Sequence, residues 1–467
     1  MKNEQNGSHT APAHQTVTGT IKLKTGRKTI LIGTSDQKIS AHAGQATFWG
    51  FLHLSKFREV LGAALPHVRT SPNALKALDI ALGFIAGILA GADKLTRIAH
   101  LRADPLLPEL LDVKRLPSQS TLSRFLAGFA GAAQNLNAFR ILWHFCMKRL
   151  PSRKGGYTLD LDSTALLHED GNQEGVKIGH TRKGLKPCHS ALLAVLEEVK
   201  LVAQFWLRAG NAPCMSNAVN FTCELLSNLP RHVRLGLVRA DSGFCVDGWL
   251  SLLEARNLHY IVAAQLHCKL QGLIRKETRW RTTHVAGVEV AELDYKGLQW
   301  SRARRIVLIR RRITEKGRAA GKTLFDCPGH TYQALVTSLP ASVEPIDVWR
   351  RYNGRAGIEN VIKELDYGFG LPKLCCKRFW ASEAALSLAV VSYNLSVLFA
   401  RHLGWLNKVL IGTLRHRLFA TAGILSHAQG RTTIKLAIPK PNRAWWREIW
   451  EKILCPYPNC NAVAQLP

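Results

Sequence analysis

The sequence predicts an α/β protein in which a block of helices precedes a mixed β-sheet, with a β-rich insertion inside the sheet-forming half. Three observations predict it. Apolar residues recur at helical spacing from about Phe48 to Met147, and the spacing switches to strand-like alternation at Tyr157. From there to about residue 266 the elements read strand, strand, strand, helix, strand, helix, strand. A chain of 467 residues can hold about two or three domains with a full core. Its 46% hydrophobic and 21% charged residues are those of a globular protein.

Residues 1–45 are polar with a basic cluster, Lys22, Lys24, Arg27 and Lys28, and read as an arm. No apolar run opens the chain, so no signal peptide is expected. Residues 46–150 read as a helical domain. Residues 74–90 form an apolar-periodic run, and Asp93 is placed to cap a helix reading KLTRIAHLR. In LPSQSTLSRFLAGF, Pro117 and Ser118 are a helix-start signal. Gln119, Ser120, Ser123 and Arg124 then form one polar face against Leu122, Phe125 and Leu126. That face suits base edges or phosphates, as in the second helix of a helix-turn-helix, and it equally suits a capped surface helix of a bundle.

Residues 151–266 carry the first part of the sheet core. YTLDLDSTALL alternates, so Asp160 and Asp162 share one face and Leu159 and Leu161 the other. HSALLAVLEE and KLVAQFWLRAG follow after little more than a turn, which implies an antiparallel meander. A helix then leads to RLGLVRADSGF, a strand ending at Asp241, and a second helix leads to HYIVAAQ. This is the element order of a ribonuclease H-like core, in which the first and fourth strands lie side by side. Their carboxylates would then be about 4.8 Å apart in the pairing direction, close enough to share a metal.

Residues 267–340 interrupt this core as a β-rich basic insertion. From Arg302 to Lys322, nine Lys or Arg face one acid, Glu315, an excess beyond edge protection that favours phosphate contact, with Arg310, Arg311 and Arg312 as candidates. Residues 341–405 complete the core with the helix RYNGRAGIENVIKEL. A helix running from about Asn353 puts Arg355, Glu359, Lys363 and Asp366 on one face, one turn after Tyr352, while Ile358, Ile362 and Leu365 form an apolar stripe. The greasy run at 384–400 contains Ser387, Ser392, Tyr393, Asn394 and Ser396, and reads as a buried helix and not a span. Residues 406–467 read as helical and basic.

The 63 Lys and Arg outnumber 33 Asp and Glu, and the net charge of +30 implies a polyanionic partner, nucleic acid before membrane. No GxxxxGK[ST] loop is present, so ATP chemistry is not expected. The 11 cysteines are scattered and odd in number, which reads as reduced thiols in a cytoplasmic protein. Cys375 with Cys376, and Cys455 with Cys460, lack partners at zinc-ligand spacing, and no structural zinc is expected.

Three acids assemble into one candidate site: Asp162 and Asp241 at strand ends, and Glu359 on the polar helix face. Such hard oxygen donors bind Mg2+ or Mn2+, and two such ions activate an attacking oxygen and stabilise a leaving one in phosphodiester chemistry. Asp160 rivals Asp162 because both point to one face, and Glu364 rivals Glu359 more weakly.

With these residues the chain resembles the DDE transposases of bacterial insertion sequences, in the group with a β-strand insertion before the glutamate. The group's hallmark is Tyr, two residues, Arg, three residues, Glu, six residues, Lys. Tyr352, Arg355 and Glu359 match it, Asp366 stands where the lysine belongs, and Lys363 is the nearest basic substitute. DLDST and RADSGF are similar to the family's two aspartate motifs, LPSQSTLSRF is similar to the segment before its core, and the resemblance covers roughly residues 70 to 430. It implies an enzyme that binds terminal inverted repeats in double-stranded DNA, nicks by hydrolysis and joins the 3′ hydroxyl to target DNA. Catalytic and metal-holding Asp162, Asp241 and Glu359, two Mg2+ or Mn2+ ions, DNA contacts from Tyr352, Arg355 and Lys363, a homodimer on DNA, and no ATP or membrane follow from it. An inactive derivative acting as a repressor and a nuclease on the same core are the alternatives.

Overall fold

The computed structural model describes residues 20–66, 71, 73–168, 171–313, 322–323, 329–406 and 409–455. Strands β1 (Thr20–Thr25) and β2 (Lys28–Gly33) pair about a turn in which Gly26 has φ 57°, and β3 (Lys38–Ser40) follows. The sequence reading expected a loose arm here. Lys22 and Lys24 obscured the alternation of Ile21 and Leu23 that makes β1 a strand.

The helical block is α1 (Ala46–Leu54), α2 (Phe57–Ala64), α3 (Ala77–Leu89), α4 (Leu95–His100), α5 (Leu107–Leu111), α6 (Gln119–Leu126) and α7 (Ala132–Met147). Every residue of α3 from Ile80 to Leu89 is buried, which explains its lack of a polar face. Ser118 caps α6, its Oγ accepting from the Thr121 amide at 3.2 Å. Asp93 does not cap α4, whose N-cap is Lys94; it instead forms ion pairs with Arg97 and Lys373, each at 2.7 Å.

The sheet is built from β4 (Tyr157–Leu167), β5 (Lys177–Thr181), β6 (Gly184–Leu196), β7 (Leu201–Ala209), then α8 (Ala218–Asn228), β8 (Leu235–Ala240), α9 (Asp247–Ala255) and β9 (Tyr260–Ala263). Next come α10 (Cys268–Lys276), β10 (Arg281–Thr282), β11 (Val288–Tyr295), β12 (Arg304–Arg312), β13 (Lys322–Thr323) and β14 (His330–Thr337). Together they form one 11-stranded mixed sheet of order β10-β11-β12-β14-β9-β8-β4-β6-β5, with β13 on β14 and β7 on β6. β5 is a strand beyond the three expected before α8; the two strands expected to lie side by side, β4 and β8, are parallel neighbours, with Leu161 opposite Ala240.

The insertion therefore extends the core sheet, since β14 pairs antiparallel with β9. β12 shows why: Ile306, Val307, Leu308 and Ile309 are all buried, so both faces of this strand need cover. Val307 and Ile309 pack in a cluster with Ile346 and Val348 of α11 (Pro345–Asn353), while Ile306 and Leu308 join the main core.

After α11 come α12 (Ala356–Gly368), α13 (Phe379–His402), α14 (Ile411–Leu414), β15 (Gly423–Ala428), β16 (Arg431–Leu436) and α15 (Arg443–Leu454). The C-terminal region thus contains a hairpin that the reading as helical missed. Its turn, Gln429 (φ 51°) and Gly430 (φ 71°), has the left-handed pair that closes two-residue hairpins, and β15 also pairs with β3.

α13 is long and apolar enough to span a membrane but is buried almost throughout, packed on α3, α7 and β7. Its polar side chains have work there. Asn394 accepts from the Val202 amide at 2.9 Å and donates to the Val202 carbonyl at 2.8 Å, pairing backbone groups of β7 that no strand reaches. Glu383 likewise accepts from the Leu207 amide at 3.1 Å. Asn394→Ala strands two buried backbone groups, so urea unfolding should show a loss of about 2–4 kcal/mol. A loss below about 0.5 kcal/mol would contradict this role.

Candidate active site

The pairing of Leu161 with Ala240 sets the site, because the next residue on each strand is a carboxylate, Asp162 and Asp241. Asp241 is fixed at the end of β8 by its own side chain, whose Oδ1 accepts from the Gly243 amide at 2.9 Å and caps a short 3-10 turn. Asp162 Oδ1 accepts from the Ser163 amide at 2.9 Å. Burial raises the Asp162 carboxyl to about 6; Arg355 opposes the shift, and the charges of Asp241 and Glu359 add to it. All three acids therefore belong to one electrostatic cluster.

Glu359 lies in the first turn of α12, whose buried stripe is Ile358, Val361, Ile362 and Leu365. The single helix expected over this stretch is in fact two. Arg239 donates through Nη1 to the Arg351 carbonyl, so that oxygen does not receive the Arg355 amide, which bonds Tyr352 at 2.9 Å instead. A Cβ at Gly354 would overlap the Arg239 guanidinium, which explains the glycine at the junction. Tyr352 consequently lies in the last turn of α11, and Arg355 is the N-cap of α12. Arg355 Nη2 is 3.0 Å from Asp162 Oδ1. Burial works against its charge, but Asp162, Tyr352 and Asp241 outweigh it and hold the guanidinium above its ordinary range. Burial raises the Tyr352 phenol; Arg355 opposes, and Asp241 and Asp162 contribute.

The rivals are occupied elsewhere. Asp160 is fully buried and takes Arg239 in a bidentate pair at 2.6 and 2.7 Å. Glu364 Oε1 accepts from the Ile411 amide at 2.7 Å and so caps α14. Lys363 is exposed and makes no ion pair among the described residues. Burial lifts Asp366 to about 6 despite Arg182 nearby.

Arg182 is the residue that sequence reasoning missed. It sits in the two-residue turn between β5 and β6 and comes within 3.8 Å of Glu359 Oε2. The basic turn TRKG between two alternating segments was the one signal for it.

Away from the cluster, Gln119, Ser120, Ser123 and Arg124 are exposed on α6 as the alternation predicts, with Arg124 Nε donating to the Ser120 carbonyl at 3.1 Å. Four of the nine bases counted from Arg302 are answered by acids on α9 and on the neighbouring strand β11. Arg302 and Arg304 meet Glu254, each at 2.8 Å, Arg304 also meets Asp247, Arg305 pairs with Glu292, and Arg310 pairs with Glu289 at 2.7 Å. A local count of acids could not see these partners. Arg311 lies over the Trp349 ring and Arg312 is exposed; residues 314–321, including Glu315, lie outside the described residues. Cys375 gains partners too, in His168 and His189, which spacing along the chain does not reveal; Cys460 lies outside the described residues.

Chemically, the cluster offers three carboxylates with two guanidiniums at its rim. All-oxygen donors suit hard divalent ions, and the mutual repulsion felt at Asp162 is what a bound cation would relieve.

No curated protein matches the chain. Among solved structures it is similar to a piggyBac transposase synaptic complex with hairpin DNA, at 12% identity and a TM-score of 0.42, covering 82% of this chain and 81% of that one. The family model described as transposase DDE domain group 1 matches residues 23–455. The chain belongs to that family and is a DDE transposase.

Proposed function

We propose that this transposase binds the terminal inverted repeats of its mobile element and cleaves and joins DNA at the Asp162, Asp241 and Glu359 cluster, on a ribonuclease H-like core. The observation that carries the reading is the convergence of these three acids from β4, β8 and α12. Two Mg2+ or Mn2+ ions held by them would polarise the scissile phosphate and its attacking oxygen. Arg355 holds Asp162 in place from the start of α12, and Arg182 beside Glu359 offers a guanidinium to a phosphate oxygen near the cut. Lys363, exposed one turn after Glu359, is a second candidate for that strand. A homodimer on double-stranded DNA would bring two ends together without ATP.

Purified protein with Mg2+ should nick a linear duplex carrying its repeats at the repeat boundary and leave a random duplex intact. Equal cutting of both would defeat the reading in favour of a general nuclease.

Phosphate grip and end recognition should separate. Arg312→Glu is expected to weaken binding to every duplex and flatten the log-log salt dependence by roughly 0.9 for each phosphate that the variant no longer neutralises. Gln119→Ala or Arg124→Ala should instead reduce the preference for repeat ends over random DNA. Arg310→Ala breaks an internal pair and should act on stability before binding. Filter binding across a salt series measures all of these, and equal weakening on both duplexes from both sets would contradict the division.

A further inference from the structure

Six residues beyond Asp162, the chain assembles a second donor set with a different chemistry. His168 follows β4, His189 lies in β6, and Cys375 lies in the loop that leads from α12 to α13. One donor atom from each lies within 4.8 Å of the others. His189 Nδ1 is 2.9 Å from His168 Nε2, and Cys375 Sγ is 3.4 Å from the same nitrogen. At about 3.3 Å per residue along a strand, this set stands roughly 20 Å from Asp162, well clear of the carboxylate cluster.

His189 carries the decisive contact. Its Nε2 is 2.9 Å from the Glu174 carbonyl oxygen, which can only accept, so the ring proton is on Nε2 and Nδ1 turns a lone pair toward the other two donors. A ligating histidine is oriented in the same way, by donating its other N–H to a carbonyl. Both histidines are buried and Cys375 is half-buried, so water does not compete freely for these atoms. Tetrahedral zinc, with Zn–N about 2.0–2.1 Å and Zn–S about 2.3 Å, separates neighbouring donors by roughly 3.3–3.6 Å. Shifts of a few tenths of an ångström bring the two measured separations to that range.

We propose that His168, His189 and Cys375 form a zinc site that ties β4 and β6 to the loop following α12. On binding, Cys375 releases its thiol proton to solvent and the His168 ring proton moves from Nε2 to Nδ1, leaving two neutral imidazoles and a thiolate on the ion, with water in the fourth position. The nitrogen and sulfur donors separate this site from the oxygen-donor cluster, which selects hard cations. Its effect is positional: α12, which carries Glu359, is followed by a loop pinned to the strand that carries Asp162.

Protein grown with zinc and purified without a metal-affinity tag should retain about one zinc per chain by mass spectrometry of the metal. Cys375→Ser and His189→Gln should each retain at least tenfold less, while Cys376→Ser and the Asp162→Ala, Asp241→Ala, Glu359→Ala triple variant should match wild type. That last comparison keeps the site independent of the cleavage chemistry. Cobalt added to zinc-free wild type should give a thiolate-to-cobalt charge-transfer band that Cys375→Ser lacks and that Cys376→Ser, the folded control beside it, keeps. Wild-type protein with no zinc above the Cys375→Ser level, or with no such band, overturns the proposal.

Discussion

Replacing Asp162, Asp241 or Glu359 by alanine is expected to lower end cleavage by at least about 10³-fold while DNA binding stays within about threefold. A ligand removed from a cation at the reacting phosphate takes with it several kcal/mol of transition-state charge stabilisation, and each 1.36 kcal/mol is tenfold in rate. Binding, by contrast, rests on basic surfaces that these substitutions leave in place. Glu364→Gln is the matched control on the same helix. Glu364 holds the Ile411 amide and not the cluster, so this variant should cut at the wild-type rate. Gel-resolved cleavage of a labelled end measures both. Wild-type cutting by any of the three alanine variants would remove that acid from the site.

Asp160→Ala is expected to cost about 3–5 kcal/mol in stability, because Arg239, 5% exposed, loses the bidentate partner that neutralises it. Glu197 at 3.7 Å is a poor replacement. The damage should reach the site indirectly, since the same guanidinium donates to the Arg351 carbonyl and shapes the junction between α11 and α12. Removing both charges together, as Asp160→Leu with Arg239→Met, should recover much of the loss.

Burial raises Asp160 and Asp162 alike to about 6, and what separates them is their partners. Asp160 takes Arg239 in a bidentate pair, whereas Asp162 meets Arg355 at one contact of 3.0 Å and faces the charges of Asp241 and Glu359. At Asp162 the ordinary value of 3.8 is raised to about 6, so the folded chain binds this proton more tightly than the unfolded chain. Stability therefore falls as the pH climbs from about 3.8 to about 6 and stays reduced above it. Asp162→Asn should match or exceed wild-type stability at pH 7.5 in the absence of divalent ions. Mg2+ or Mn2+ should raise the wild-type melting temperature and leave that of Asp162→Asn unmoved. Thermal melts across pH and metal decide it; a destabilised Asp162→Asn with intact metal response would mean that the two aspartates have exchanged roles.

The contrast between these two aspartates shows what could be read from the sequence. Alternation in YTLDLDSTALL puts both on one face, and element order makes β4 and β8 neighbours, so a carboxylate pair on adjacent strands was legible. Asp162, however, lies mid-strand in β4, just past its pairing with β8, and not at the strand end that was expected. Which aspartate stays free depended on Arg239, whose side chain crosses between strands and answers Asp160, and no local pattern encodes that. The same holds for Arg304 and Arg310. Their partners, Glu254, Asp247 and Glu289, lie on other elements, so four of the nine bases in a run that looked unopposed, Arg302, Arg304, Arg305 and Arg310, have acid partners. Helical periodicity found the Ile358, Ile362 and Leu365 stripe, but the break at Gly354 required knowing that Arg239 takes the Arg351 carbonyl. The hairpin turn carrying Arg182 was short and basic, and its nearness to Glu359 is a tertiary fact.

Metal-swap rescue at Asp241 tests the central claim most directly. A thiolate is a poor ligand for Mg2+ and a better one for Mn2+. If Asp241 coordinates the ion used in cleavage, Asp241→Cys should be silent with Mg2+ and regain end cleavage with Mn2+. Cleavage by Asp241→Cys at the wild-type rate in Mg2+ would contradict the account.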